Sequence, residues 1–297
     1  MNMEGKMKLN NKFNLPEVFV NLLTRSTYSK GKAHLSATEL LNSPQIVQLR
    51  RKHWDDIEED VSDKIFALFG TAMHAILEHG KTDGAIVEER LHINIDGWNI
   101  SGAIDLQEPN PNGMSIKDYK TTGAWAVMHE KIDWEQQLNI YAYLVEKVKG
   151  IPVTDLAIVA IIRDWSKRDA QTKEGYPEAP IKVIPITLWS LHEREAFIRE
   201  RIQLHSNAHL STEMDEDYIF CTPSEMWEKE TVYAIRKKGG ARAKSLHDTE
   251  EEAESKLKEL GKDYELEIRK GERTRCKEYC QVSKFCNQYQ QYLQENV

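Results

Sequence analysis

The sequence predicts an α/β protein in which a helix, three strands, a helix and a strand follow one another and build a mixed sheet with helices packed on it. Three observations predict that order. "DKIFALFGTAMHAILEHG", residues 63–80, and "DWEQQLNIYAYLVEKVKG", residues 133–150, repeat apolar residues at helical spacing. Between them, Asp96-Gly97 joins two strand-like runs as a hairpin signal. After them, "VTDLAIVAIIR" is a β-branched apolar run of the kind that forms a buried strand.

The elements follow in order. Residues 1–32 carry scattered lysines and the apolar patch "FNLPEVFVNLL", and are expected to form an arm. Ser36 and Glu39 make a capping box that starts a short helix, and Pro44 separates it from a second. The helix of residues 63–80 is expected to stop at Gly80 as its C-terminal cap. "AIVEERLHINI" and "WNISGAIDL" flank the hairpin turn, "PNPNG" makes the next turn, and "MSIKDYKTT" is the third strand. Gly150 closes the following helix. Residues 164–180 read as a loop, "IKVIPITL" as a strand and "SLHEREAFIRERIQLHSNA" as a helix. The core is therefore expected over residues 33–210, with a basic, cysteine-containing region over 211–297. In that region "DTEEEAESKLKELG" reads as a capped, solvent-facing helix.

Composition narrows the class. A chain of 297 residues with 40% hydrophobic and 30% charged residues suits a globular protein with a proper core. No apolar run reaches the roughly 18 residues that span a bilayer, and the N-terminal stretch lacks the features of a secretory signal. A cytoplasmic protein, of a bacterial cell or a phage-infected host, is expected. The net charge of −8 argues against a general polyanion coat but leaves room for a local basic groove.

Chemistry concentrates in three consecutive elements. Asp118 and Lys120 stand two apart in a strand, so both side chains point to one face. Alone, such a pair reads first as a surface ion pair, because charged pairs fill surfaces. His74 and Glu78 share a helix face four residues apart, and Asp105 ends "SGAID". Neighbouring strand ends beneath a helix would bring these groups together. Two carboxylates and an imidazole then suit a divalent cation: oxygen ligands favour Mg²⁺ and the imidazole shifts preference towards Mn²⁺. Such a cation activates water and stabilises charge on a phosphoryl oxygen, while Lys120 would neutralise the transition state.

"FGTAMHAILE", "ISGAIDL", "IKDYKTT" and "QLNIYAYL" resemble the successive motifs of the PD-(D/E)xK nuclease superfamily, in particular its RecB-like branch. The branch includes CRISPR-adaptation exonucleases and phage nucleases. The resemblance covers about residues 33–165 and implies a restriction-endonuclease-like αβββαβ core. It implies His74, Asp105 and Asp118 as metal ligands, Lys120 as the catalytic lysine, and Gln137 and Tyr141 as supporting or DNA-touching groups. Glu78 is a candidate behind the ligands. The chain departs from the pattern in using Asp118 where glutamate is frequent and "AID" in place of "PD". The resemblance implies a DNA nuclease, with an exonuclease acting on ends or single strands in phage or bacterial recombination as the preferred activity. The alternative is a partner-dependent subunit, or a non-catalytic DNA-binding module, of a recombination or CRISPR-adaptation complex. Recombination proteins and further copies of the chain are candidate partners.

Cys276, Cys280 and Cys286 cluster in "RCKEYCQVSKFC", with Cys221 apart. Thiols so placed in a cytoplasmic chain point to metal rather than disulfides. The tail resembles that of RecB-like nucleases carrying a [4Fe–4S] cluster, with Zn²⁺ the alternative, although its C-x3-C-x5-C spacing and the position of Cys221 depart from theirs. "IRKKGGARAK" offers Arg236, Lys237, Lys238, Arg242 and Lys244 as a phosphate-gripping hairpin or a solvated loop. Arg50, Arg51, Lys52, His53, Arg163, Lys167 and Arg168 are further basic candidates near the core. Trp125, Trp134 and Trp165 could stack unpaired bases or fill the core.

Overall fold

The structure, a computed structural model, describes residues 8–24, 30–80, 82–129, 131–213 and 220–296. It divides into two units, residues 1–48 with 54–218 and residues 49–53 with 219–297. No helix among the described residues is long and apolar enough to cross a membrane.

The first unit begins with β1 (Lys8–Asn10) and α1 (Glu17–Thr24). No residue of α1 is buried, and Phe13, Val18 and Leu22 are exposed, so the apolar patch of this segment faces outward. The segments 1–7 and 25–29 of the expected arm lie outside the described residues. β2 (Leu35–Ser36) leads into α2 (Ala37–Leu41), and Ser36 and Glu39 form the expected reciprocal capping box. Pro44 opens α3 (Pro44–Lys52), where its missing N–H is harmless. β3 (Glu58–Asp60) pairs in parallel with β1.

The core then runs α4 (Ile65–Glu78), β4 (Ile86–Ile95), β5 (Trp98–Asn110), β6 (Gly113–Thr122), α5 (Ala124–Met128), α6 (Ile132–Lys149) and β7 (Val153–Ile162). α4 ends on His79 as its C-cap, and the Gly80 N–H bonds the Leu77 carbonyl. Gly80 is thus not the left-handed cap that the sequence suggests, because its φ is not positive. Asp96 and Gly97, with φ of +52° and +84°, turn β4 into β5. Residues 164–180 are not all loop: α7 (Lys167–Thr172) is nucleated by Ser166, whose hydroxyl accepts the Asp169 N–H. β8 (Ile181–Ile186) and α8 (Leu191–Glu213) complete the unit.

The sheet is mixed. β5 pairs antiparallel with β4, parallel with β2 and antiparallel with β6; β6 and β7 are parallel, and β8 is antiparallel to β7. The β5–β6 ladder runs from Asn110↔Gly113 to Leu106↔Lys117 and stops there. The next step in that register would pair Asp105 with Asp118. Two buried carboxylates instead mark the place where the strands part, and this opening is what positions the site.

α6 is buried continuously from Gln137 to Val145, because the sheet lies on one side and α2 and α8 on the other. Its close approach explains the glycine of "ISGAIDL". A Cβ on Gly102 would stand 2.9 Å from the Tyr141 ring and 2.6 Å from Leu144. Any side chain there would push α6 away from β5.

The second unit holds a three-stranded antiparallel sheet, β9 (Val232–Lys237), β10 (Ala243–His247) and β11 (Tyr264–Arg269), with β9 central. α9 (Glu250–Leu260) is capped by Thr249 and buries only Ala253 among its residues. α10 (Asn287–Glu295) follows a π-helical turn at Arg275–Tyr279. Within this unit His53 stacks on Phe285 with centroids 4.1 Å apart.

Candidate metal centre and active site

Asp118 lies on β6 where that strand leaves β5, and it is 2% exposed; Asp105, on β5, is 7% exposed. Asp105 Oδ2 accepts the Tyr119 N–H at 2.8 Å, replacing the ladder bond lost where the strands part. Asp118 and Lys120 do share a face, with Lys120 Nζ 2.6 Å from Asp118 Oδ2. Gln137, on the first turns of α6, ties the pair together. Its amide oxygen accepts from Lys120 at 3.1 Å, and its Nε2 donates to Asp118 Oδ1 at 3.2 Å and to the Tyr141 hydroxyl at 2.7 Å.

His74 reaches the same opening from α4. Its Nε2 is 3.1 Å from the Tyr119 carbonyl, and its Nδ1 is 3.2 Å from Glu88 and 3.6 Å from Asp105 Oδ1. Carbonyl and carboxylate oxygens only accept, so both ring nitrogens must carry protons here. The imidazolium is accordingly favoured: the Glu88 hydrogen bond, with the nearby Asp105 charge, raises its pKa to about 9 against the effect of burial. Asp105 is pushed up to about 7 by burial and by the Asp118 charge, with His74, the Tyr119 N–H and Lys120 opposing. The site holds more carboxylate than its own cations comfortably neutralise.

A divalent cation fits this donor set. Single ligand atoms of His74, Glu88 and Asp105 all lie within 4.8 Å of one another. Asp118 Oδ2 is buried and, despite its nearness to Lys120, accepts no hydrogen bond of good geometry. Carboxylate oxygens and one imidazole are the ligands that Mg²⁺ and Mn²⁺ accept.

His74, Asp105, Asp118, Lys120, Gln137 and Tyr141 are thus brought together by four elements. Glu78 is exposed on α4. The acid that faces His74 is Glu88 on β4, which the sequence reading passed over. Of the basic candidates in the first unit, Lys167 and Arg168 lie on α7, and Arg163 follows β7 with its N–H bonded to the Thr122 carbonyl. Trp134 and Trp165 pack against the core, whereas Trp125 is exposed.

Residues 34–287 match the PD-(D/E)XK nuclease superfamily. The chain belongs to that superfamily. No curated protein matches it. Among solved structures, SSO0001 is similar at 17% identity and a TM-score of 0.41, over 63% of this chain and 82% of its own. Membership implies metal-dependent nuclease chemistry on DNA, and the mixed αβββαβ core is the restriction-endonuclease-like fold of the superfamily.

The cysteines belong to the second unit of this nuclease-family chain. Cys221, Cys276 and Cys286 are buried and Cys280 is half-buried. Gln288 brings Cys221 in from far along the chain: its side chain bonds both the Cys221 N–H and the Cys221 carbonyl at 2.9 Å, two residues after Cys286. Burial, then the neighbouring Cys280 and Cys286, raise the Cys276 thiol to about 11, and burial raises Cys280 and Cys286 as well. Residues 235–244 do form a hairpin, with Gly239 at φ +76°. Arg236 in it is engaged by Glu265 and Glu267, and Lys244 lies over the Tyr264 ring.

Proposed function

We propose that this protein is a Mg²⁺- or Mn²⁺-dependent deoxyribonuclease of the RecB-like branch, acting as an exonuclease on DNA ends or single strands. The observation that carries the reading is the convergence of Asp105, Asp118, His74 and Lys120 where β5 and β6 part. His74, Asp105 and Asp118 would hold the cation, which supplies charge for a phosphoryl oxygen and lowers the pKa of a water. Lys120 presents an ammonium to the attacking water or the developing phosphorane charge, held in place by Gln137. Tyr141 fixes the Gln137 amide in turn.

A preference for unpaired strands is supported by aromatic rings left uncovered near the opening. Phe66 and Phe69 are 57% and 50% exposed on the helix that carries His74. The Arg163 guanidinium lies 4.3 Å over Phe66, and the Arg163 N–H bonds Thr122 at the end of β6. Trp125, at 60% exposure, follows directly and has Lys131 over its ring at 4.7 Å. Rings bearing cations that form no ion pair among the described residues suit bases and phosphates of a flexible strand.

The four cysteines fit a metal by their chemistry, since thiolates are ligands for both iron–sulfur clusters and zinc and all four thiols fall in one unit. We assign them a structural [4Fe–4S] cluster, with Zn²⁺ the alternative that iron, sulfide and zinc analysis would separate. The hairpin residues Arg236, Lys237, Lys238, Arg242 and Lys244 would contribute phosphate contacts. A cytoplasmic role in phage or bacterial recombination, with a recombination partner or as an oligomer, fits this activity.

End-labelled linear and closed-circular DNA, single- and double-stranded, incubated with Mg²⁺ or Mn²⁺, tests the proposal. Degradation of linear forms with circles spared is expected. Equal cutting of circles would remove the end requirement, and no cutting of any form would favour the partner-dependent subunit.

A further inference from the structure

Glu88 interrupts β4 in an unusual way. The β4–β5 ladder keeps one register on both sides of it, with Val87↔Leu106 and Glu89↔Ile104 paired. Glu88 itself, at the level of Asp105, has φ of +51°. A non-glycine residue in the left-handed region inside a strand is disfavoured, and such strain persists where surrounding structure holds it for a purpose. Its consequence here is local. Normal strand geometry aims successive side chains to alternate faces, whereas the left-handed turn delivers the Glu88 carboxylate to His74 Nδ1 at 3.2 Å.

His74 is then held at both ends. Nδ1 is fixed by Glu88, with Asp105 Oδ1 3.6 Å from it, and Nε2 is left aimed at the carbonyl of Tyr119, the residue next to Asp118, 3.1 Å away. A histidine ligand whose second nitrogen donates to a carboxylate has its ring orientation and tautomer fixed, and it binds metal better for that. We propose that Glu88 is the positioning residue for His74, holding its Nδ1–H so that Nε2 serves as the metal ligand. The inference rests on the metal-site reading above, and assigns to Glu88 a hydrogen bond to the ligand instead of a bond to the cation.

The test is Mn²⁺ binding to the chelator-treated, DNA-free protein, followed by electron paramagnetic resonance of free Mn²⁺, in four variants. Glu88→Ala is expected to raise the dissociation constant about 10–100-fold, the usual effect of losing such a partner. Glu88→Gln, whose amide oxygen still accepts the Nδ1–H, should restore most of the affinity. Glu88→Gly separates function from folding. Glycine takes the left-handed conformation freely, so its melting temperature should be no lower than wild type while its affinity falls as in Glu88→Ala. Glu88→Asp, one methylene shorter, should fall between. Unchanged affinity in Glu88→Ala and Glu88→Gly would overturn the role. Equal losses in Glu88→Gln and Glu88→Ala would overturn it too, by making Glu88 a direct ligand. Wild-type protein that binds no Mn²⁺ would instead remove the metal site, and the role of Glu88 with it.

Discussion

Asp118→Ala is expected to abolish DNA cleavage while leaving the chain folded, and Lys120→Ala to lower the cleavage rate about 10²–10³-fold, as for loss of one transition-state donor. The two substitutions fail for different reasons. Asp118 supplies a buried oxygen with no hydrogen bond of good geometry, in a site already crowded by Asp105. On the proposed assignment its removal deletes a metal ligand, so metal affinity falls, while the relieved repulsion with Asp105 offsets the lost contacts to Lys120 and Gln137. Lys120 instead bonds Gln137 and sits beside Asp118. Its loss should leave Mn²⁺ binding measurable and depress turnover at saturating metal. Gln137→Ala, which releases both partners, should lie between them in rate. Single-turnover cleavage against Mn²⁺ concentration separates a shifted curve from a lowered plateau.

Metal-free protein should lose stability as pH rises, and cations should restore it. His74 and Asp105 both hold protons more tightly in the folded chain than their ordinary values of 6.5 and 3.8, at about 9 and about 7. A group raised on folding stabilises fully below its unfolded pKa and loses that contribution as pH climbs through the folded one. For Asp105 the loss spans about pH 4 to 7, and for His74 about pH 6.5 to 9. Thermal melts in chelator should therefore shift down across these windows, less so in Asp105→Asn, which stays neutral. A bound cation takes the place of both protons. Mn²⁺ should accordingly raise the melting temperature more at pH 8.5 than at pH 6. A shift equal at both pH values would contradict this electrostatic picture.

The core was legible because its signals are local. The hairpin turn at Asp96-Gly97, the Ser36–Glu39 box and the apolar period of α6 each depend on a few adjacent residues. The pairing of Asp118 with Lys120 was legible for the same reason, since strand alternation alone puts them together. Glu88 was not. Two adjacent glutamates in "VEER" offer alternation no reason to choose the first, and its approach to His74 depends on a left-handed backbone that sequence does not advertise. The acid of "VEE" seventeen residues before Asp105 was the available signal, but nothing local ties it to the site. α7 escaped because five polar residues and a single alanine carry no apolar period, and only Ser166 hinted at a start. β11 and the Gln288 contact to Cys221 depend on pairings across the second unit, which no short stretch encodes.

The central claim is that one cation held by His74, Asp105 and Asp118 makes this chain a nuclease. It is tested most directly by titrating chelator-treated protein with Mn²⁺ and following occupancy and DNA cleavage in the same samples, for wild type and Asp118→Ala. Cleavage in wild type should rise in step with filling of a tight site, and the variant should lack both. Cleavage that persists in chelator, or an Asp118→Ala protein that cuts as well as wild type, would contradict the account.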